Sequence, residues 1–508
     1  QGIAHSGNAG TNHQKIISAG HLLSVLIFPL QMYTIIQGFS KERTIFPAAQ
    51  YSGVNIVKKL GFICKYPTFA FLCTSKQRDC LTSFYQMKHL LTLFLIFILS
   101  VLQVLHATNT GQQADSTFML RGRVLGSDTK EPLPNASITV QKANVSSVTN
   151  QDGYFSIRVP ASTRNMQLII HYLGYENKEI PVVTLIGNPN DHIMLAPSPI
   201  ELSEVLIVSG DGTNLVREAL QRIPENYAAD PNMMVAFYRE SIKKGSNYIS
   251  LVEAVLDVYK ASYRSYSNDQ ARIYIGRKAT DISPRDTVLL KFQGGISDAL
   301  MLDIAKNPEI VFGTDAAEYN FHVNGLININ NKPHYIISFQ PHSGLKDILF
   351  RGTIYLDAAT LAFARMEFNM NVEDRKDAAN IFIRRKPSKM RVEVNNAQYV
   401  VNYMENNGKW FFSYSATEVS FRVRWTNRFF GLFATNYIIG SEIAVTDRYN
   451  DNVIKFPRDE RIRSTDVIAE KVESFLDPGF WGEYNVIEPD QQINDAIKRL
   501  SDKLRRRK

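Results

Sequence analysis

The sequence predicts a mainly β protein, a small N-terminal β-sandwich followed by a larger antiparallel β domain with a few helices. Three observations predict it. No helical period runs through 117–210 or 233–445. Apolar and polar residues alternate one for one in several segments, the mark of a sheet with one packed and one wet face. Turn clusters such as Asp128–Pro132 and Asn150–Gly153 separate the short apolar runs. With 44% apolar, 11% aromatic and 21% charged residues in 508, the chain can bury real cores. The net charge of +8 invites a nucleic-acid reading, but residues 1–107 hold nine Lys/Arg against two acids. The remainder carries 48 bases and 47 acids, so no nucleic-acid partner is expected.

The chain is read in order. Residues 1–86 hold all three cysteines, Cys64, Cys73 and Cys80, and no methionine before Met32. They are expected to be non-native upstream translation, with Met87 as the initiator. Met87-Lys88-His89 then opens sixteen nearly apolar residues, 90–105, followed by short polar ones. A basic start, an apolar stretch shorter than the ~20 residues that span a bilayer, and a small-residue exit predict a signal peptide over 87–107. Export to the periplasm or outer membrane follows as an expectation. A body without cysteine holds no disulfide, cysteine–zinc site or cysteine nucleophile.

Residues 117–196 read as short strands around Phe118–Leu125, Ala136–Val140, Tyr154–Val159 and Gln167–Tyr172, with Gly153 free to take positive φ in the turn. Residues 197–230 are a linking strand and a helix, 212–227, with Leu215, Ala219, Leu220 and Ile223 on one face and Pro224 near its end. Residues 231–450 return to longer strands, about ten of them. Ala364, Met366, Phe368 and Met370 share a face, as do Val419, Phe421, Val423 and Trp425, and Met390, Val392 and Val394. A helical insertion is expected near 297–304. The tail, 451–508, ends in an amphipathic helix over 490–504, with Pro489 at its first position and Ile493, Ala496, Ile497, Leu500 and Leu504 on one face.

Gly122-Arg-Val, Pro132-Leu-Pro-Asn-Ala-Ser-Ile-Thr-Val, Thr149-Asn-Gln-Asp-Gly-Tyr-Phe-Ser-Ile and Leu173-Gly-Tyr together resemble the carboxypeptidase-regulatory-like domain. The resemblance implies a transthyretin-like sandwich and no peptidase activity, since the domain is an accessory one. It also implies a Gram-negative envelope protein, because this domain often opens TonB-dependent receptors. Residues 201–208 resemble the strand that follows it there. A 22-strand membrane barrel does not fit in the roughly 300 residues that remain. Residues 350–368 resemble the periplasmic lipoprotein-carrier fold, a half-barrel over an apolar cavity. The arrangement over 197–508 also resembles a group of regulatory-like-domain envelope proteins, which implies little chemistry.

The search for chemistry returns absences. None of His171, His192, His322, His334 and His342 has Glu three residues on, and no His-Glu-x-x-His, Gly-x-Ser-x-Gly, Walker loop or dinucleotide fingerprint occurs. No catalytic, metal or cofactor-binding residue is assigned. His171 and His334 read as structural. The expected class is a non-enzymatic binding or scaffold protein. The alternatives are a carrier of a lipid or other apolar ligand, and a carboxypeptidase-type hydrolase with an unrecognised site. The expected partner is an envelope protein or an apolar ligand, with membrane-surface contact.

Two segments stand out as candidate interface. Residues 384–391 carry five positive charges, among them Arg384, Arg385 and Lys386. Residues 422–433 set Trp425, Phe429, Phe430 and Phe433 beside Arg424 and Arg428 at a hairpin tip. Replacing Phe429 and Phe430 by Ser is expected to weaken membrane or partner association with melting temperature nearly unchanged; a large fall would place these rings in the core.

Overall fold

The computed structural model describes residues 116–198, 210–281, 295–313, 316–345, 347–372, 378–383, 388–426, 434–474, 480–482 and 484–507. Strands dominate these residues. The first seven are β1 (Thr117–Gly126), β2 (Ser137–Val140), β3 (Ser146–Val148), β4 (Tyr154–Pro160), β5 (Gln167–His171), β6 (Lys178–Pro181) and β7 (Asn190–Leu195). They form two facing sheets, β4-β1-β7 and β3-β2-β5-β6, with only β1 and β7 running parallel. Alternate residues from each sheet, including Leu120, Val124, Ile157, Ile138 and Ile170, fill the space between them. The turn before β4 is built as its residues demand. Asn150 Oδ1 accepts the N–H groups of Asp152 (3.0 Å) and Tyr154 (2.9 Å). Gly153 sits at φ +81°, where a Cβ would stand 2.5 Å from the Val124 carbonyl.

The third sheet has twelve strands. In chain order they are β8 (Gly210–Asp211), β9 (Asn232–Lys244), β10 (Asn247–Lys260), β11 (Gln270–Thr280), β12 (Tyr319–Ile329), β13 (Lys332–Pro341), β14 (Phe350–Asp357), β15 (Phe363–Met370), β16 (Met390–Asn406), β17 (Lys409–Trp425), β18 (Ala434–Tyr449) and β19 (Glu473–Ser474). Their spatial order is β19-β11-β10-β9-β18-β17-β16-β15-β14-β13-β12-β8, an open sheet in which β19 and β8 are the edges. Two meanders, β9–β11 and β12–β18, are joined where β18 pairs with β9. The chain leaves β11 near one edge and re-enters at β12 near the other.

The residues connecting β11 to β12 supply the cover of one face. The helices Gly295–Met301 and Glu309–Phe312 lie there, with Ile296, Ala299, Leu300 and Phe312 buried in the main core. Phe312 alone meets Phe321, Phe339 and Phe363 at ring separations of 5.7–6.4 Å. The helices Thr213–Gln221 and Ile223–Asn226 contribute Val216, Ala219 and Ile223. The expected helix over 212–227 therefore exists in two pieces. Met366, Phe368, Met370, Val419, Phe421 and Val423 are all buried beneath this layer. It also holds a buried ion pair, Lys260 Nζ to Asp303 at 2.6 Å, with the Tyr263 and Tyr403 hydroxyls on the same carboxylate at 2.7 and 3.0 Å.

The opposite face is covered in part by the sandwich and by the C-terminal segment. Val148 of β3 joins Phe237, Val255, Tyr414, Ala444 and Ile487 in one apolar seam. The Ser146 hydroxyl donates to the Val445 carbonyl at 2.7 Å. Beside the seam, Glu253 is 1% exposed and accepts from Arg239 Nε and Arg277 Nε, each at 2.8 Å. Arg239 also reaches Glu442 (3.0 Å) and the Ile487 carbonyl (2.8 Å). The Arg277 guanidinium lies 4.5 Å from the Trp481 ring. The terminal helix runs Gln491–Arg507 and seats Ile493, Ala496 and Leu500 against Tyr248 and Leu251. Its cap is Asp490, whose Oδ1 accepts the Ile493 N–H at 2.7 Å. Pro489 thus precedes the cap and does not hold the first helical position, because an aspartate one residue later satisfies a free N–H that proline cannot.

Removing one partner of a buried pair leaves an uncompensated charge. Glu253→Ala is expected to lower unfolding free energy by about 3–5 kcal/mol. Arg222→Ala, which breaks the exposed Arg222–Glu218 pair, is expected to change it by under about 0.5 kcal/mol. Urea unfolding checks both, and equal effects would show that the Glu253 cluster is not held as described.

Candidate binding groove and domain junction

An open groove of about 860 Å³ lies on the partly covered face of the twelve-stranded sheet. Its floor is read from the register. Thr353, Glu367 and Val400 stand in one row across β14, β15 and β16, continued by Ala416 and Glu442 on β17 and β18. The next row is Asn369, Gln398, Glu418 and Gly440, ending at Ser241 on β9. All of these residues but Ala416 stand next to a buried apolar neighbour, so the alternation that fills the core also sets polar groups in this floor. One wall is sandwich, Asn135 and 150–152; the other is tail, Ile487, Asp490 and Gln492.

Most floor groups already have partners. Gln398 Nε2 donates to Glu418 at 3.2 Å, and Glu367 accepts from Arg365 Nε at 2.6 Å. The Tyr414 hydroxyl lies 3.1 Å from both Glu442 and Asn135 Oδ1, linking floor to sandwich. The Gln491 N–H donates to Asp152 at 2.9 Å, linking tail to sandwich. What remains is a surface of amides, hydroxyls and carboxylates with Lys243, over Ala416 and Gly440 and the apolar Val400 and Ile438. That surface suits an extended polar ligand and offers little to an alkyl chain. Among the described residues no group of three or more His, Cys, Asp or Glu is placed to hold a metal ion.

The model of the CarboxypepD_reg-like domain family matches residues 120–207. This chain carries a carboxypeptidase-regulatory-like domain. The domain contributes one wall of the groove and, by its family, a regulatory rather than a catalytic type of module. No curated protein sequence matches the chain. Among solved structures the chain is similar to a DUF1329 family protein from Desulfovibrio piger, at 14% identity over 48% of this chain and 96% of that one, with a TM-score of 0.23. It is also similar to MucB in the MucA/MucB complex of Pseudomonas aeruginosa, at 11% identity over 46% of this chain and 93% of that one, with a TM-score of 0.16. Scores this low support no functional inference.

A second, smaller cavity of about 290 Å³ lies between the regulatory-like domain and the sheet. His171 of β5 faces it, together with Asn177, Arg365, Asn402 and Trp410. The residue is half-buried, but its Nδ1 is shielded and has no hydrogen-bond partner. Burial, then Arg365 and His334, lower its pKa from 6.5 to about 4. His334 is 1% exposed, sets Nδ1 2.9 Å from the Lys332 carbonyl, and is also lowered, chiefly by burial.

Of the residues singled out in the sequence, Arg424 is exposed on β17, and Trp425 ends that strand paired with Met390. Arg428, Phe429, Phe430 and Phe433 lie outside the described residues, as do Arg384, Arg385 and Lys386. The groove residues were not singled out. Their signal was present in the polar positions Glu367, Asn369, Gln398 and Glu418, but nothing local shows which polar face a distant domain will wall.

His171 is neutral in the folded chain down to about pH 4, whereas the unfolded chain takes its proton near 6.5. Stability contributed here is therefore intact above 6.5 and lost as pH falls toward 4. Asp298 and Asp447, raised to about 6 by burial, act in the opposite sense in that window. The measurement is thus a difference: between pH 7 and 5 the parent should lose about 1–2 kcal/mol more than His171→Asn. Parallel pH profiles would mean the ring is freely hydrated.

Proposed function

We propose that this chain is a non-enzymatic binding protein of the cell envelope, and that the groove walled by the regulatory-like domain and the C-terminal segment takes an extended polar ligand. The observation that carries the reading is the groove itself. Two segments more than 300 residues apart in sequence converge on one sheet face and leave a polar channel between them. The envelope assignment rests on the regulatory-like domain and on the signal-like pattern at 87–107.

A lipid or apolar carrier is less well supported. The apolar strand faces are packed against the chain's own helices, and the groove floor is hydrogen-bonding. A hydrolase would need a positioned nucleophile or a metal, and none was recognised.

Gly440 gives a direct test. Its backbone is not in the left-handed region, and an added Cβ would meet nothing nearer than Ser241 Oγ at 3.2 Å. Gly440→Trp should fill the channel while the chain stays folded. Soluble peptidoglycan fragments, muropeptides and glycan chains, are the probe, read by thermal shift and by titration calorimetry. Stabilisation of the parent, absent in Gly440→Trp, supports the reading. Stoichiometric lipid in organic extracts of the purified protein, lost in the same variant, would replace it with the carrier.

A further inference from the structure

The described parts of the two segments that stand apart in the sequence, 388–391 and 422–426, meet in the fold. The β16–β17 register sets Arg391 opposite Arg424 and Glu393 opposite Arg422, and the ladder runs on to Lys389 and Thr426. Lys389, Arg391, Glu393, Arg422 and Arg424 are all exposed. Directly opposed residues of an antiparallel pair share a face with Cβ atoms roughly 4.5–5.5 Å apart, and like charges there repel. Four cations gather around one carboxylate.

Elsewhere on the sheet, several arginines are matched by carboxylates. Arg239 and Arg277 share Glu253, Arg272 pairs with Asp257 and Glu460, and Arg365 pairs with Glu367. Among the described residues, Arg391 and Arg424 have no carboxylate within ion-pair distance. The sequence thus keeps a repulsive cross-strand pair where alternation would accept any polar residue. An apolar group stands at the same end of the sheet. Ile381, 48% exposed, lies on the helix Ala379–Phe382, whose Phe382 ring meets Phe421 edge-on at 5.9 Å.

We propose that this end of the sheet docks on the phosphate groups of an anionic lipid surface. The patch is open and fully hydrated, so a single small anion would be screened and weakly held. A charged bilayer acts on every cation within a Debye length at once, which is what four cations spread over two strands can use. The proposal is independent of the groove ligand, since the patch lies beyond the groove along the same strands.

The test uses the full chain with vesicles of phosphatidylcholine, with and without phosphatidylglycerol. The readout is the ratio of the two partition coefficients, so apolar segments elsewhere cancel. The parent should favour the anionic vesicles, less so as salt rises. Arg391→Ser/Arg424→Ser should lower the ratio by roughly 30-fold, with a melting temperature equal to the parent's or higher, because the repulsion is gone. Lys142→Ser/Arg458→Ser, which removes two exposed charges elsewhere, should leave the ratio nearly unchanged. Arg424→Gln, which keeps side-chain length, should give about half the effect on a logarithmic scale. An equal loss in the Lys142/Arg458 variant would reduce the effect to net charge and overturn the proposal. So would an unchanged ratio with a lowered melting temperature, which would make the arginines structural. Stabilisation of the parent by millimolar inorganic phosphate without vesicle preference would make the patch a soluble-anion site instead.

Discussion

Glu253 is held between two arginines on the sheet face that the sandwich and the tail cover in part, and much of the packing of that face is arranged around this one carboxylate. Almost fully buried, its carboxylate has Arg239 and Arg277 as its partners. Each arginine then has further donors or a ring face to satisfy. Arg239 turns to Glu442 and to the Ile487 carbonyl, which fixes the tail. Arg277 turns to Trp481, whose edge meets Phe237 at 5.6 Å. Glu442 in turn takes the Tyr414 hydroxyl, which touches Asn135 of the sandwich. Such a network adds little net stability over an apolar core. Its hydrogen bonds tie the tail and the sandwich to the sheet, through the Ile487 carbonyl and Asn135.

The two faces of the sheet are therefore closed by different means. One is covered by local helices whose apolar residues match the strands beneath them, and area burial suffices there. The other is closed by an apolar seam together with this polar network, and only over the strip that sandwich and tail reach. The groove is the strip left over. Its floor could not be apolar without becoming an exposed hydrophobic patch. It is set instead with carboxylates and amides, among them Glu367, Glu418 and Gln398.

Much of this was legible. Alternation in β15 and over 390–394 and 419–423 of β16 and β17 shows which residues face the core, and the buried set Met366, Phe368, Val419, Phe421 and Val423 follows it, while bulges shift the phase further along β16 and β17. The turn at Asn150–Gly153 was legible from the side-chain chemistry of asparagine and the freedom of glycine. A hairpin signal went unused: Asn407 and Gly408 both take positive φ between β16 and β17, as Asn330 and Asn331 do between β12 and β13. The pairing of β18 with β9 was not legible, because it joins strands about 200 residues apart and no local pattern encodes it. The Glu253 cluster was hidden for the same reason. A carboxylate and its two arginines on three strands read, one by one, as ordinary wet-face residues. The groove inherits that opacity, since its walls come from the two ends of the described chain.

Along β16 and β17 the outward face changes character in steps. At Asn402 and Tyr414 it lies beneath the sandwich. At Gln398 and Glu418 it is groove floor, hydrogen-bonded and open. At Arg391 and Arg424 it is bare and cationic. The spacing from Gln398 to Arg391 is seven residues, or roughly 20 Å at ~3.3 Å per strand residue. That distance exceeds a Debye length at physiological salt, about 8 Å, so charge at the tip does not set the potential in the groove. The two regions can thus act on different chemistries without interfering. A chain resting on an anionic surface by its tip would hold the groove well clear of the lipid headgroups, within reach of a polymer that stands off the membrane.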